Sequence, residues 1–242
     1  MKYSSIESAV EDIRNGRQII VVDSKDRENE GDLVMASELV TPEKINFMAK
    51  EGRGLICVSL TKERALELDL ELVQNKNTSL HETNFTVSVD AKNNTTTGIS
   101  AFDRSETIRV LIDNKSKAKD LARPGHIFPI IGKDGGVLRR SGHTEASIDL
   151  SLLAGLKPSG VICEIMDDDG TMSRGDSLQR FAEKHSLKII SIDELIHFRR
   201  KTQKLVEKIE EIKLPTKYGD FQLHLYEDIF DNYSHLALTK GE

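Results

Sequence analysis

Residues 17–40 read "RQIIVVDSKDRENEGDLVMASELV". Two apolar runs, "QIIVV" and "LVMAS", flank "DRENEGD", which packs four carboxylates, one arginine and one glycine into seven positions. Short Val- and Ile-rich runs bounded by charge read as buried strands. A run this acidic resists burial unless its charges find partners. The segment is therefore expected to form two strands joined by a hairpin-like loop that presents hard oxygen ligands. Two readings of the loop stand side by side, a solvated connection and a metal site. Asp26, Glu28, Glu30 and Gly31 imitate the start of an EF-hand calcium loop. The twelfth position of such a loop demands a bidentate glutamate, and it is Ser37 here. The flanks are also strands rather than helices, so that reading fails. Hard carboxylates with open positions suit Mg²⁺ or Mn²⁺ instead.

Outward from this segment, strands and helices alternate irregularly. Ile6, Val10 and Ile13 keep helical spacing and Gly16 follows as a stop. Thr41 can cap a helix with Pro42 at its first position. "GLICVSLT" reads as a strand, "KERALELDL" as a short helix, residues 71–83 as loop and "NFTVSVDA" as an alternating strand. "DRSE" at 103–106 fits a capping box with Asp103 at the cap. "HIFPII", "GVICEIMD" and "KIISI" read as strands, and "SLQRFAEKH" as a helix. "SIDE" at 191–194 fits a second capping box, opening a helix expected to run through "KLVEKIEEI". This order predicts a three-layer α/β domain on a mixed sheet, not a pure βαβ array. A composition shift near Lys201 divides the chain into a main domain, 1–200, and an extension, 201–242, that begins as a linker helix.

Tryptophan is absent and aromatics make up 5% of the 242 residues, so aliphatic side chains must build the core. The formal net charge of −6 gives no basic footprint, which argues against a nucleic-acid partner. No apolar run reaches the roughly 18 residues of a membrane span, and the N-terminus reads as an amphipathic helix. Cys57 and Cys163 stand singly inside apolar runs and read as buried thiols. A reducing cytoplasm is the expected compartment.

Three further stretches carry chemistry. "RRSGHTEAS", 139–147, sets Arg140, Ser141, Gly142, His143 and Thr144 at an expected helix start. Free backbone N–H groups and the helix dipole bind anions there, and an arginine can add a bidentate clamp. An ordinary capped helix with a basic start is the alternative. His126 opens a strand after Pro124 and Gly125, where a histidine is structural or an acid–base group. Glu164 lies inside the apolar run "VICEIM", which is costly unless it is paired or faces water. Carboxylates, a histidine beside a phosphate cradle and two more acid–base candidates suit metal-assisted enolisation of a sugar phosphate.

Read together, "DRENEGDLVMASELVTPEKINFMAKEGRGLICVSLT", "HETNFTVSVDA", "TTTGISAFDRSETI", "RPGHIFPI", "GGVLRRSGHTEASIDLSLLAGL" and "GVICEIM" resemble 3,4-dihydroxy-2-butanone 4-phosphate synthase from about residue 5 to 200. The resemblance implies a three-layer α/β sandwich on a mixed twisted sheet. It implies a lyase of riboflavin biosynthesis that converts D-ribulose 5-phosphate to L-3,4-dihydroxy-2-butanone 4-phosphate and formate. It further implies a homodimer with sites near the subunit interface and Mg²⁺ or Mn²⁺ as cofactor, two ions per site. By resemblance, Glu28 and His143 are metal ligands. Arg27, Asp32, Arg140, Ser141, Gly142, Thr144 and Cys57 contact substrate, and His126, Glu164 and Glu30 are catalytic. The tail "LPTKYGDFQLHLYEDIFDNYSHLALTKGE" resembles the opening strands of GTP cyclohydrolase II. No cysteine follows Cys163, so cyclohydrolase activity is not expected from this chain. The tail is expected to be poorly packed, because two or three strands rarely hold alone.

Overall fold

The computed structural model describes residues 1–74, 83–230 and 233–241. The chain divides into two compact units, Met1–Ile196 and His197–Glu242.

The first unit is built on a seven-stranded sheet. Its strands are β1 (Ile19–Val22), β2 (Gly31–Ala36), β3 (Cys57–Leu60), β4 (Val89–Ala91), β5 (Leu121–Ile131), β6 (Gly160–Glu164) and β7 (Ile189–Ser191). The spatial order is β4-β5-β3-β6-β2-β1-β7. β1/β7 and β3/β5 are parallel and the other pairs antiparallel, so the sheet is mixed. The opening segment forms the expected hairpin, with Val22 opposite Gly31.

Alternation sends successive side chains to opposite faces. Ile20, Val22, Leu33, Met35, Val58, Val161 and Cys163 enter the main core. There they meet Ile45 of α2 (Pro42–Phe47), Ala65 of α3 (Lys62–Glu67), Ile108 and Leu111 of α4 (Ala101–Ile112) and Leu178 of α6 (Gly175–His185). The opposite face packs α5 (His143–Leu153), with α1 (Ile6–Arg14) against α5. Every α5 residue from His143 to Ser151 is buried. Its buried carboxylates are partnered, Glu145 by Arg140 and Asp149 by the Val137 N–H at 2.8 Å. Gly160 lets the helix approach, since a Cβ there would lie 2.5 Å from Ser147 Cβ. Ser59 Oγ lies 2.7 Å from Ser147 Oγ, and Ser151 Oγ donates to the Ser159 carbonyl, so the buried hydroxyls are satisfied.

Several local expectations shift. The α4 cap is Ser100, whose Oγ accepts from Asp103 N–H; Asp103 stands inside the first turn. "DRSE" mimicked the capping pattern three residues late. The "NFTVSVDA" strand shrinks to Val89–Ala91, preceded by single bridges at Phe85 and Thr86. β5 runs through Pro124 and Gly125 instead of starting after them. The predicted loop at 71–83 lies largely outside the described residues.

The largest correction concerns the extension. The helix opened by Ser191, α7, ends at Thr202. "VEKIEEIKLPT" is β8 (Val206–Thr216), paired with β9 (Gly219–Asp228), which pairs with β10 (Ser234–Thr239). Val206, Ile209 and Ile212 recur every three residues, which imitates a helix. The β8/β9 ladder slips between Lys208 and Glu210, leaving Ile209 as the extra residue of a bulge. Among the described residues beyond 201, none is buried.

Candidate active site

Asp23 directly follows β1 and organises the acidic loop. Its Oδ2 accepts from Glu28 N–H at 3.0 Å and its Oδ1 from Glu30 N–H at 2.9 Å. Arg27 bridges Asp23 at 2.9 Å and Glu28 at 2.8 Å. Asn29 takes φ +55, a left-handed turn that asparagine tolerates. Arg174 braces the loop from outside, donating to the Asn29 carbonyl at 2.8 Å and to Glu30 Oε1 at 3.1 Å. The carboxylates therefore converge on backbone donors and two guanidinium groups instead of dispersing into water.

α5 brings His143 to this loop from its first turn. The ring Nδ1 lies 3.7 Å from Glu28 Oε2 and 3.8 Å from Asp32 Oδ1. Nε2 lies 3.1 Å from the Val21 carbonyl oxygen. That carbonyl can only accept, so Nε2 carries a proton and Nδ1 faces the carboxylates. Asp23, Glu28 and His143 offer ligand atoms that all lie within 4.8 Å of one another. Two hard oxygens and a borderline nitrogen make a donor set that fits Mg²⁺ or Mn²⁺.

Electrostatics tie the cluster together. Burial by itself would lower the His143 pKa, but Asp32, Glu28 and Asp23 outweigh it and raise it to about 9. Burial raises Asp32 to about 7, with His143 opposing the shift and Glu164, Glu28 and Glu30 adding to it. Glu30 is also raised, by burial and then by Glu28. The cluster thus sets His143 and the Arg27 guanidinium among several carboxylates, and Asp32 sits near the midpoint of its titration at neutral pH.

Asp32 on β2 pairs with Glu164 on β6, so both carboxylates project from the same sheet face. Glu164 Oε2 accepts from Leu55 N–H at 2.8 Å. Cys57 is two residues up that face, opposite Ile162, and is buried. Burial, then the charge of Glu164, holds its thiol well above the usual range, so it forms apolar wall rather than a nucleophile.

The phosphate-cradle residues gather at the α5 start. Gly142 caps the helix, and a Cβ there would lie 2.3 Å from an Arg140 nitrogen. Arg140 donates to buried Glu145 at 2.6 Å and to Thr83 Oγ1 at 2.9 Å. Ser141 is exposed, while His143 and Thr144 are buried. The first N–H groups of a helix have no intrahelical partner, so this end offers backbone donors beside the carboxylate cluster.

His126 stands apart. β5 is separated from β2 by β3 and β6, about three strand spacings or roughly 14 Å. Its Nδ1 instead meets Asp90 Oδ2 at 2.7 Å. Asp23, Asp90 and Glu145 were missed by sequence reading. The signal for Asp23 was a carboxylate closing "IIVVD"; the other two carry none that spacing reveals.

Residues 7–198 match the family model of 3,4-dihydroxy-2-butanone 4-phosphate synthase. The chain belongs to that family. Residues 207–242 match the model of GTP cyclohydrolase II. A riboflavin biosynthesis protein RibBA from Aquifex aeolicus is 56% identical over 100% of this chain and 60% of its own length. The crystal structure of RibBX from A. baumannii, a two-domain synthase of the same name, superposes with a TM-score of 0.89 at 47% identity. That match covers 99% of this chain and 70% of the other. A synthase crystallised with two magnesium ions superposes with a TM-score of 0.79 at 40% identity, over 83% of this chain and 98% of its own. The chain spans about 60% of the length of the RibBA relatives it matches. Membership places it among proteins of riboflavin biosynthesis. Among the described residues, no helix is long and apolar enough to cross a membrane.

Proposed function

We propose that this chain is a lyase that converts D-ribulose 5-phosphate to L-3,4-dihydroxy-2-butanone 4-phosphate and formate. The observation that carries the reading is the double position of His143. It opens the helix that seats an anion and faces the acidic loop, so a phosphate and a polarised carbonyl can belong to one small substrate.

Asp23, Glu28 and His143 would hold Mg²⁺ or Mn²⁺, and the magnesium-bound relative supports two ions per site. Such ions polarise a carbonyl and lower the barrier to enolisation. The protein's own groups then have distinct work. Gly142, Thr144 and the α5 N–H groups seat the phosphate, with Ser141 and Arg140 at its edge. Asp32, near half-protonated at pH 7, is suited to take and return a proton on the sheet side. Glu30 and Glu164 flank it as further proton carriers. Arg27, held by Asp23 and Glu28, contacts substrate hydroxyls at the loop. Cys57 lines the wall.

His126 completes the set only if it reaches a site other than its own chain's cluster. A homodimer with sites near its interface would supply that, and we take the dimer as the working form. The domain division at about residue 200 and a cytoplasmic setting belong to the same reading. The test is an assay of the purified chain with ribulose 5-phosphate, with and without EDTA. Formate and the four-carbon product should appear with Mg²⁺ and stop on chelation. Turnover without formate would mark a sugar-phosphate isomerase, and formate release in EDTA would remove the metal from the account.

A further inference from the structure

Asp90 lies outside the carboxylate cluster, yet the surrounding chain is shaped around it. Its Oδ2 is 2.7 Å from His126 Nδ1, and its Oδ1 accepts the His126 backbone N–H at 2.9 Å. One carboxylate therefore fixes both the position of the residue and the orientation of its ring. The β4/β5 ladder shifts register between Val89 and Asp90, and this break gives Asp90 the reach to grip His126 at both points.

Two glycines close the arrangement. Gly98 takes φ +94, and a Cβ there would lie 2.1 Å from Asp90 Oδ2 and 2.5 Å from His126 Nδ1. Gly125 brings the strands together, since a Cβ there would lie 2.0 Å from the Val89 carbonyl carbon. The turn carrying Gly98 is itself held by buried Asp103. That carboxylate accepts from Thr96 N–H at 3.1 Å, Thr96 Oγ1 at 2.7 Å and Gly98 N–H at 3.0 Å. Ordinary surface histidines are not cradled this way. The His126 side chain nevertheless keeps 42% of its surface exposed. The gripped nitrogen is Nδ1, and Nε2 is the ring nitrogen that Asp90 leaves untouched.

We propose that Asp90 is a positioning residue that holds His126 as the Nδ1–H tautomer and leaves Nε2 bare to accept a proton from the substrate. This rests on the synthase reading above. A carboxylate accepts and does not donate when ionised, so the shared proton belongs to Nδ1. When Nε2 takes a proton the ring becomes a cation, and Asp90, still ionised, stabilises it across the existing hydrogen bond. A substrate hydroxyl O–H bond breaks as the Nε2–H bond forms, and the electron pair stays on the substrate oxygen as an alkoxide.

The test reads the ring directly. Nitrogen-15 spectra of the full chain, labelled at histidine, would be recorded at pH 8 with His126→Gln to assign the signal. The wild type should show a protonated Nδ1 and a bare Nε2. Asp90→Ala should move the ring toward the Nε2–H tautomer and lower kcat about 10–100-fold, with KM within about threefold. Asp90→Glu should recover the tautomer and most of kcat. A protonated Nε2 in neutral wild-type His126, or an Asp90→Ala ring identical to wild type, would overturn the assignment. Where Asp90→Ala does not fold, the wild-type ring state decides alone. Failure of the synthase reading shows separately, as wild-type protein that releases no formate while its ring state is still measurable.

Discussion

Raising the pH from 7 to 9 should destabilise the metal-free protein through His143. The ring is buried among Asp32, Glu28 and Asp23, which raise its pKa from 6.5 to about 9. A group whose folded pKa is raised adds stability that is complete below its unfolded value and is lost as pH climbs through the folded one. The window is therefore about pH 6.5 to 9. Each full unit is worth about 1.4 kcal/mol. Between pH 7 and 9 the unfolded ring is already mostly neutral and the folded ring half releases its proton at the upper end, so the loss is about 2 kcal/mol. Asp32 releases its proton near pH 7, with the same sign, and so steepens only the lower part of the curve. Urea unfolding in EDTA at pH 7 and pH 9, for wild type and His143→Gln, measures the difference. The variant should lose about 2 kcal/mol less than the wild type over that interval. Equal losses in both proteins would refute the reasoning, because the slope would then originate elsewhere.

Three further outcomes follow from the same geometry. Asp23→Asn should weaken Mg²⁺ binding about 10–100-fold by calorimetry, since it removes a charged ligand and one acceptor of the loop; unchanged affinity would take Asp23 out of the donor set. Glu145→Gln leaves half-buried Arg140 without its carboxylate and should cost about 1–3 kcal/mol of stability, a loss that a thermal or urea melt would detect. Gly54→Ala would place a Cβ 2.5 Å from the Glu164 carbonyl oxygen and from its Oε2. A cost of about 1–3 kcal/mol is expected, together with a displaced Glu164 and slower formate release; a variant as stable and active as wild type would show that the strand end can give way.

Much of the site was legible along the chain, for identifiable reasons. The acidic run could not be buried unpaired, so it had to be a loop with partners. "RRSGHTE" announced a helix start, and Glu28 and His143 do converge there. What escaped was partnership across the fold. Asp23 looked like the polar end of a strand, but it anchors two loop N–H groups and Arg27. Arg140 looked like a free clamp, but Glu145 and Thr83 hold it. His126 looked like a member of the same cluster, but two strands stand between β5 and β2. "VEKIEEI" looked helical because Val206, Ile209 and Ile212 recur every three residues, yet it pairs with β9 as a strand.

Local chemistry by itself determined the strand–loop–strand segment, the helix starts at Pro42 and His143 and the aliphatic core. These depend on periodicity, capping and the cost of burying charge, all of which act over a few residues. Only the tertiary structure decided which carboxylates share a pocket. Strand order and register set Asp32 beside Glu164 and set His126 apart, and there burial raised the Asp32 pKa while the neighbouring carboxylates raised that of His143. Proximity across a sheet depends on which strands become neighbours, and the spacing of residues along the chain carries no record of that choice.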